Sequence, residues 1–174
     1  VEFHRQHEHY PVDYFGHLYM LPPFPMNYPW VMTLFTVPLA TLVLGGVGLV
    51  ICAQRIWQGI KSDDGRGHRG VAECLLVLNF MVPIVIISLP NTPIFGGTKH
   101  WMPTMPFLAL TAGIGAVRVM DGLFGSIAGR KKEIFAWALG TAMLLPAGWA
   151  TVTYGAHGPA YFNVLIGGPP GAAR

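Results

Sequence analysis

The chain alternates long apolar stretches with short polar ones. Asp, Glu, Lys and Arg are all absent from residues 14–54, 74–98 and 134–173. A membrane-crossing helix needs about 20 mainly apolar residues, and these windows are long enough to supply them. The pattern predicts an all-α polytopic membrane helix bundle with about four spans, at residues 30–52, 71–89, 103–117 and 134–154. The third predicted span is short, so it requires tilt, a thinned bilayer or a partly re-entrant path.

Prolines and glycines inside the spans predict how the helices bend and pack. Three prolines fall inside predicted spans, where a missing backbone N–H favours a kink: Pro38, Pro83 and Pro146. Two groups of glycines allow close contact between helices: Gly45, Gly46 and Gly48, then Gly113 and Gly115. Small residues are also common in membrane helices in general, and the sequence alone does not separate the two explanations.

The composition excludes an ordinary soluble domain. Of the 174 residues, 52% are hydrophobic and 11% are charged, whereas soluble domains usually carry roughly a quarter charged residues. The mean hydropathy is +0.47, so much of the surface faces something other than water. The net charge of +3 does not indicate nucleic acid, because the basic residues flank apolar spans and act there as topology determinants.

The distribution of Lys and Arg predicts the orientation of the bundle. The loops after the first and third spans hold eight of the eleven basic residues: Arg55, Lys61, Arg66, Arg69, Arg118, Arg130, Lys131 and Lys132. These loops are therefore expected in the cytoplasm, with both termini extracytoplasmic and the protein in a bacterial inner membrane. Residues 1–29 then form an outer interfacial segment, 30–154 the membrane region and 155–174 an outer Gly/Pro-rich tail. With no signal peptide visible, an outside N-terminus indicates an earlier membrane helix, so we expect the later part of a larger protein.

The outer N-terminal segment is rich in histidine and aromatic residues. His4, His7 and His9, with Glu8, are candidate ligands for zinc or copper, since imidazole and carboxylate suit those ions. Their spacing matches neither a zinc finger nor a helical H-E-x-x-H site, so metal binding is the weaker interpretation. The stronger one is a segment at the membrane interface, with aromatic rings at headgroup depth. The four prolines within residues 22–30 fit that interpretation.

A second candidate site lies in the outer loop between the second and third spans, SLPNTPIFGGTKHWMPTMP. Gly96 and Gly97 let the backbone turn tightly, and Lys99 and His100 follow. An ammonium, an imidazole and backbone amides hold a phosphate through charge-assisted hydrogen bonds. The spacing by itself favours a plainer interpretation, in which Lys99 extends toward lipid headgroups and Trp101 belongs to an aromatic belt.

The outer segments resemble a known family. The runs FHRQHEHYPVDYFG, PMNYPWVMTLFTVPL and SLPNTPIFGGTKHWMPTMPFLALTAGIGA are similar to bacterial members of the dolichyl-phosphate-mannose–protein mannosyltransferase-like family. These are polytopic GT-C glycosyltransferases that include the lipid A aminoarabinose transferases. The order of a basic residue, a histidine, an aromatic pair and a Pro-Trp start to a helix is matched by Arg5, His9, Pro11, Tyr14, Phe15, Pro29 and Trp30. The similarity covers the first two spans and extends into the third.

The resemblance implies transfer of a sugar from a polyprenyl-phosphate donor to an acceptor on the extracytoplasmic face. In such enzymes a carboxylate deprotonates the acceptor, while a cation stabilises the departing lipid phosphate. The resemblance implies that role for Lys99 and His100, with Arg5 and His9 as further substrate-binding candidates. The family's catalytic acid lies in an early outer loop with no counterpart here, so no catalytic residue is assigned. The chain is expected to contribute donor contacts rather than the whole reaction.

Two other functions remain open from the sequence. One is a non-catalytic accessory subunit of a larger membrane complex, which few charges and many small and aromatic residues would suit. The other is a metal-binding membrane protein using His4, His7 and His9. Membrane lipids and other transmembrane helices are expected partners in each case, together with the polyprenyl-linked sugar in the transferase. Nucleic acid is not expected.

Overall fold

The computed structural model describes residues 11–61, 70–92, 94, 97–125, 129–154, 161–168 and 171. The described part is mainly helical. Its helices are α1 (Tyr28–Thr36), α2 (Leu39–Lys61), α3 (Val71–Ile87), α4 (Met105–Phe124) and α5 (Arg130–Tyr154). A 3₁₀ helix at Gly97–Thr104 leads directly into α4, and a 3₁₀ turn lies at Val164–Ile166. Two short strands, β1 (Val12–Tyr14) and β2 (His17–Tyr19), precede α1.

Within the described residues, three helical segments are long and apolar enough to cross a membrane: Leu39–Lys61, Gly97–Phe124 and Glu133–Thr153. Helix α3 is also apolar but has 17 residues, about 26 Å at 1.5 Å per residue. The hydrocarbon core of a bilayer is about 30 Å thick, so α3 falls slightly short of it. The membrane character and the helical architecture predicted from the sequence are therefore confirmed.

The first predicted span, residues 30–52, is wrong at both ends, because the helix long enough to cross the membrane covers Leu39–Lys61. The structure has two helices there, because Val37 takes an extended conformation (φ −93°, ψ 139°) between α1 and α2. A residue that precedes proline is disfavoured in the helical region, and Pro38 offers no N–H to continue the ladder. The expected kink is a complete break, and α2 then continues to Lys61.

The third predicted span is also wrong, because it is not short. The prediction ended at Val117 since Arg118 follows it, but α4 continues through Arg118 and Asp121 to Phe124. Both charged side chains are exposed, so the helix does not need to end in order to keep them out of its packed face. The second and fourth predicted spans lie close to α3 and α5, with ends shifted by two and four residues.

Helices α2 and α4 form the most extensive contact between described elements, although α3 separates them in the chain. Gly48 on α2 faces the backbone of Thr111, and Gly115 on α4 faces the backbone of Leu44. A side chain at either glycine would overlap the opposite helix. This reciprocal pair confirms that glycines set the helix approach at these two positions. By contrast, no described side chain in the spanning window of α5 is buried.

The N-terminal segment contains a β-hairpin that the all-α prediction did not include. β1 and β2 pair antiparallel, with Tyr14 opposite His17. Phe15 and Gly16 form the two-residue turn, both with positive φ (51° and 75°). Positive φ at both central positions is the type I′ hairpin geometry, which usually requires Asn or Gly. The signal was missed because a bulky aromatic residue occupies the first of these positions.

Candidate functional site

The two segments that the sequence predicts to be extracytoplasmic pack against each other at one end of the bundle. A shared apolar cluster there contains Val12, Phe24 and Tyr28 from the N-terminal segment, with Ile94 and Trp101 from the loop after α3. The backbone N–H of Phe24 also donates to the carbonyl of Pro90 at 3.0 Å. The hairpin, α1 and the 3₁₀ helix therefore form one structural unit.

Trp101 anchors the 3₁₀ helix to α1. Its side chain is fully buried, at 0% exposure, and its indole Nε1–H donates to Thr33 Oγ1 at 2.9 Å. The Thr33 hydroxyl in turn donates to the carbonyl of Pro29 at 2.7 Å. The interpretation that placed Trp101 in an interfacial aromatic belt is therefore wrong. Its indole N–H has a protein partner and not a lipid headgroup, which Trp otherwise favours at interfaces.

Lys99 and His100 lie on this anchored 3₁₀ helix, immediately before the buried Trp101. Lys99 is exposed and His100 is half-buried. The helix begins at Gly97, whose φ of +62° is a left-handed conformation that glycine adopts without steric cost. The structure thus places an ammonium and an imidazole on neighbouring residues, between the end of α3 and the start of α4.

The remaining sequence candidates, Arg5 and His9 and the possible metal ligands His4, His7 and His9, lie outside the described residues. Within the part of the chain that the structure describes, no group of three or more His, Cys, Asp or Glu side chains is arranged to hold a metal ion.

A row of aromatic rings runs from the 3₁₀ helix to the hairpin turn and on to the C-terminal end of α1. Trp101 and Tyr28 meet edge to face with ring centroids 6.0 Å apart, and Tyr28 and Tyr14 do so at 5.4 Å. Tyr14 then contacts Phe15 at 4.6 Å, and Phe15 meets Phe35 at 6.4 Å. Such tilted and edge-to-face arrangements are the favoured geometries for aromatic pairs. The row gives the lysine-bearing turn and the hairpin a common support.

A cavity of about 770 Å³ opens beside the far end of this row. Its described lining comes from the hairpin, one side of α1 and the C-terminal segment: Asp13, Tyr14, Phe15, Gly16, Val31, Met32, Phe35, Phe162, Ile166 and Gly171. Asp13 is the one charged residue among them, and neither Lys99 nor His100 belongs to this group. Sequence reasoning did not identify the cavity, because its walls are separated by more than 100 residues of chain.

Tyr14 has a buried polar atom at this site. Its hydroxyl oxygen is inaccessible and has no hydrogen-bond partner in the described structure. Burial, with a smaller effect from Tyr19, raises the pKa of the Tyr14 phenol above its ordinary value. Because the hydroxyl is inaccessible, Tyr14 contributes mainly its ring to the site.

Asn163 holds the C-terminal segment against α1. It is buried, with 2% exposure, and its side-chain Nδ2 donates to the carbonyls of Leu34 at 2.6 Å and Val37 at 2.7 Å. Its backbone N–H donates to Phe35 at 2.7 Å. A single residue thus satisfies three carbonyls at the end of α1, which helix ends otherwise leave without partners. No sequence signal marked Asn163, since its partners lie 126 to 129 residues earlier.

Comparisons with known proteins add no relative to this picture. No family model matches the chain, and neither a curated protein nor a solved structure matches it significantly. The case for a function therefore depends on the chain's own residues and their arrangement.

Proposed function

We propose that this chain is part of an integral membrane glycosyltransferase. The enzyme moves a sugar from a polyprenyl-phosphate donor to an acceptor on the extracytoplasmic face, and Lys99 and His100 contact the lipid phosphate. The observation that carries this proposal is the position of these two residues. They lie on a short, anchored helix between two apolar helices, and the proposal places the phosphate of a membrane-embedded donor beside them.

The anchoring of the 3₁₀ helix supports a binding role for Lys99. A binding group is most effective when its neighbours hold it in place, because less conformational entropy is then lost on binding. Trp101 is fixed to α1 by its bond to Thr33, so the backbone that carries Lys99 is fixed as well. A cation held there stabilises the charge that develops on a departing phosphate.

The proposed topology adds α3 to the three longer helical segments, which gives four spans, and both termini are extracytoplasmic in a bacterial inner membrane. The ion pair between Arg55 and Glu73, 3.1 Å, joins the end of α2 to the start of α3. Lys99 follows the other end of α3, so the proposed topology puts it on the opposite side of the membrane from Arg55 and Lys61. This is the charge asymmetry that the positive-inside rule predicts. Arg5 and His9 remain proposed donor contacts.

The test is donor turnover by the natural full-length enzyme carrying Lys99→Ala. Loss of a charged hydrogen bond of about 1.5–3 kcal/mol should lower kcat/KM for the polyprenyl-phosphate sugar by about 10- to 100-fold. Lys99→Arg, which keeps the charge, should retain more activity than Lys99→Ala. Lys61→Ala is the matched control, since Lys61 is an exposed lysine beside Trp57 at the opposite end of the bundle. Equal turnover in Lys99→Ala and Lys61→Ala would refute the phosphate role.

The absence of buried residues among the described side chains of α5 favours a second candidate, a non-catalytic subunit of a larger membrane complex. Trp137 and Trp149 are 79% and 75% exposed on the described chain, and aromatic side chains are frequent anchors in protein interfaces. Photo-crosslinking from position 137 in native membranes distinguishes the candidates. A crosslink to another polypeptide, together with normal turnover in Lys99→Ala, would support the subunit role over the transferase role.

A further inference from the structure

We propose that the cavity between the hairpin, α1 and the C-terminal segment binds an organic ammonium group, with Asp13 as its counter-ion and the surrounding aromatic rings as its walls. This site is separate from Lys99 and His100 and goes beyond the proposed transfer reaction. It can exist whether or not that reaction is confirmed.

The first support is the chemistry of the lining. Four aromatic rings are present, those of Tyr14, Phe15, Phe35 and Phe162, and Asp13 is the one charged side chain among the described lining residues. Aromatic faces carry negative electrostatic potential and attract alkylated ammonium groups, as in the aromatic cages that bind choline or methyl-lysine. A nearby carboxylate adds direct charge complementarity. Rings and carboxylate therefore favour the same kind of ligand.

Other ligand classes use this lining less well. A phosphate or carboxylate would be repelled by Asp13 and finds no cation among the described lining residues. A neutral hydrocarbon chain would remove the carboxylate from water without compensation, which is unfavourable. A neutral sugar needs several directional partners for its hydroxyls, whereas the described lining is almost entirely aromatic and aliphatic apart from Asp13.

The second support is the conformation of the hairpin turn. Phe15 has φ 51°, the left-handed region that bulky residues rarely occupy. Such backbone conformations persist only where the surrounding structure requires them, and they cluster at functional sites. Here the strained turn brings the Phe15 ring, which is 66% exposed, against Phe35 at the cavity wall. A turn stable in itself would place Asn or Gly at this position.

The same turn also positions the carboxylate. Asp13 Oδ1 accepts a hydrogen bond from the backbone N–H of Gly16 at 3.2 Å, which uses one of the two carboxylate oxygens. The charge is thus held at the cavity by a backbone contact that does not depend on the charge itself. Asn at position 13 can accept the same bond, so Asp13→Asn removes the charge while preserving the turn.

The size of the cavity indicates that the ammonium belongs to a larger molecule. Ligand pockets usually measure about 300–1,000 Å³, and 770 Å³ is far more than a trimethylammonium group fills. Two sources share the chemistry: a soluble amine, or the headgroup of a zwitterionic lipid in the surrounding membrane.

The experiment measures binding to the full chain reconstituted in nanodiscs of phosphatidylglycerol. The soluble probe is choline, and its neutral carbon isostere 3,3-dimethylbutan-1-ol is the comparison ligand. In the lipid arm, phosphatidylcholine is titrated into the discs, and its headgroup contact is followed by crosslinking from position 166, an aliphatic lining position whose replacement keeps all four rings. Choline binding together with a crosslink identifies a shared ammonium site, and a crosslink without choline binding identifies a lipid headgroup site.

Asp13→Asn should weaken binding of the ammonium probe by about tenfold or more, with little effect on the neutral isostere. Phe35→Leu, which removes one ring and keeps an apolar side chain, should also weaken it. Glu133→Gln, an exposed carboxylate on α5, is the matched control and should bind as the unsubstituted protein does. A thermal melt checks that each variant is folded.

Three results would overturn the inference. The first is equal affinity for choline and its neutral isostere, which would show an apolar cavity only. The second is unchanged binding in folded Asp13→Asn, and the third is an absence of binding by both the choline and the phosphatidylcholine probes. None of these outcomes depends on donor turnover, so the inference and the proposed function are tested separately.

Discussion

Substitution of Gly48 by alanine tests the closest helix contact in the structure. A Cβ on Gly48 would overlap the carbonyl group of Thr111 on α4 and lie 3.2 Å from its Cα. The obstructing atoms are backbone, so no side chain can rotate away to make room. Helices α2 and α4 must move apart, and the reciprocal contact between Gly115 and the Leu44 carbonyl must loosen with them.

The expected change in the free energy of unfolding of Gly48→Ala follows from two opposing effects. Forcing an extra methyl group into a packed interface typically costs about 1–3 kcal/mol, and a backbone obstruction places Gly48→Ala toward the upper end of that range. Alanine also favours helix by about 1 kcal/mol relative to glycine. The matched control is Gly46→Ala, because a Cβ at Gly46 meets nothing within 4 Å and receives only the propensity gain. The two variants should therefore differ by about 2–3 kcal/mol.

The assay is reversible unfolding of the reconstituted chain in mixed micelles, followed by circular dichroism as the fraction of denaturing detergent rises. Gly48→Ala should unfold at a clearly lower fraction than the unsubstituted chain, whereas Gly46→Ala should match or exceed it. Energy transfer between dyes on α2 and α4 should report a larger separation only in Gly48→Ala. If the two alanine variants unfold together and keep the same dye separation, the proposed close approach of α2 and α4 is refuted.

Two further predictions concern the support of the candidate sites. Asn163→Ala should reduce stability by about 1–3 kcal/mol because it leaves carbonyls at the end of α1 without partners. The control Asn79→Ala removes only a bond to Leu75 within one exposed helix turn and should change stability by less than about 0.5 kcal/mol. Equal effects of the two substitutions in the same micelle assay would contradict the role of Asn163 in holding the end of α1. Burial raises the pKa of Tyr14 and Tyr28, so these phenols ionise at a lower pH in the unfolded chain than in the folded one. The free energy of unfolding should therefore fall as the pH rises above about 10, and it should not depend on these two groups at lower pH. Tyr14→Phe should reduce that fall in stability. Since the hydroxyl has no hydrogen-bond partner in the described structure, the substitution should be neutral or stabilising by up to about 1 kcal/mol at pH 7. An unchanged pH profile would show that Tyr14 does not contribute to the pH dependence of stability.

The sequence predicted those parts of the fold that depend on local composition. Apolar windows predicted membrane helices close to α3 and α5, because a run of apolar residues without charges is sufficient to define such a helix. The same rule failed at Arg118, where charge alone was taken as a boundary. An exposed arginine near a helix end can reach water or headgroups while the backbone remains helical. A charged residue is therefore a poorer guide to where a helix ends than to which side of the membrane a loop occupies.

The candidate site was predicted only in part, because a local sequence pattern does not show contacts between distant segments. Lys99 and His100 were found because they are consecutive and follow a glycine pair. The cavity was not predicted, since its lining combines the hairpin with residues near position 162, which are far apart in the sequence. Trp101 was misassigned because an aromatic residue near an apolar span is usually interfacial. Only the position of Thr33, 68 residues earlier, shows that its indole has a buried partner.

Helix α1 shows how such distant contacts decide between two local outcomes. Proline within a membrane helix produces a kink when neighbouring groups satisfy a few freed carbonyls, and a break leaves more of them unpaired. At Pro38 the break is stable because Asn163 binds the carbonyls of Leu34, Phe35 and Val37. Separation from α2 then lets α1 serve as a platform with two sides.

One side of α1 fixes the lysine-bearing 3₁₀ helix through Thr33 and Trp101, and the other lines the Asp13 cavity through Val31 and Phe35. Both candidate sites thus depend on a nine-residue helix whose C-terminal end is held by Asn163. Asn163→Ala should therefore weaken ligand binding in the cavity as well as reduce stability. The effect on Lys99-dependent donor turnover should be smaller, because the Trp101–Thr33 contact does not involve any of the three carbonyls that Asn163 binds.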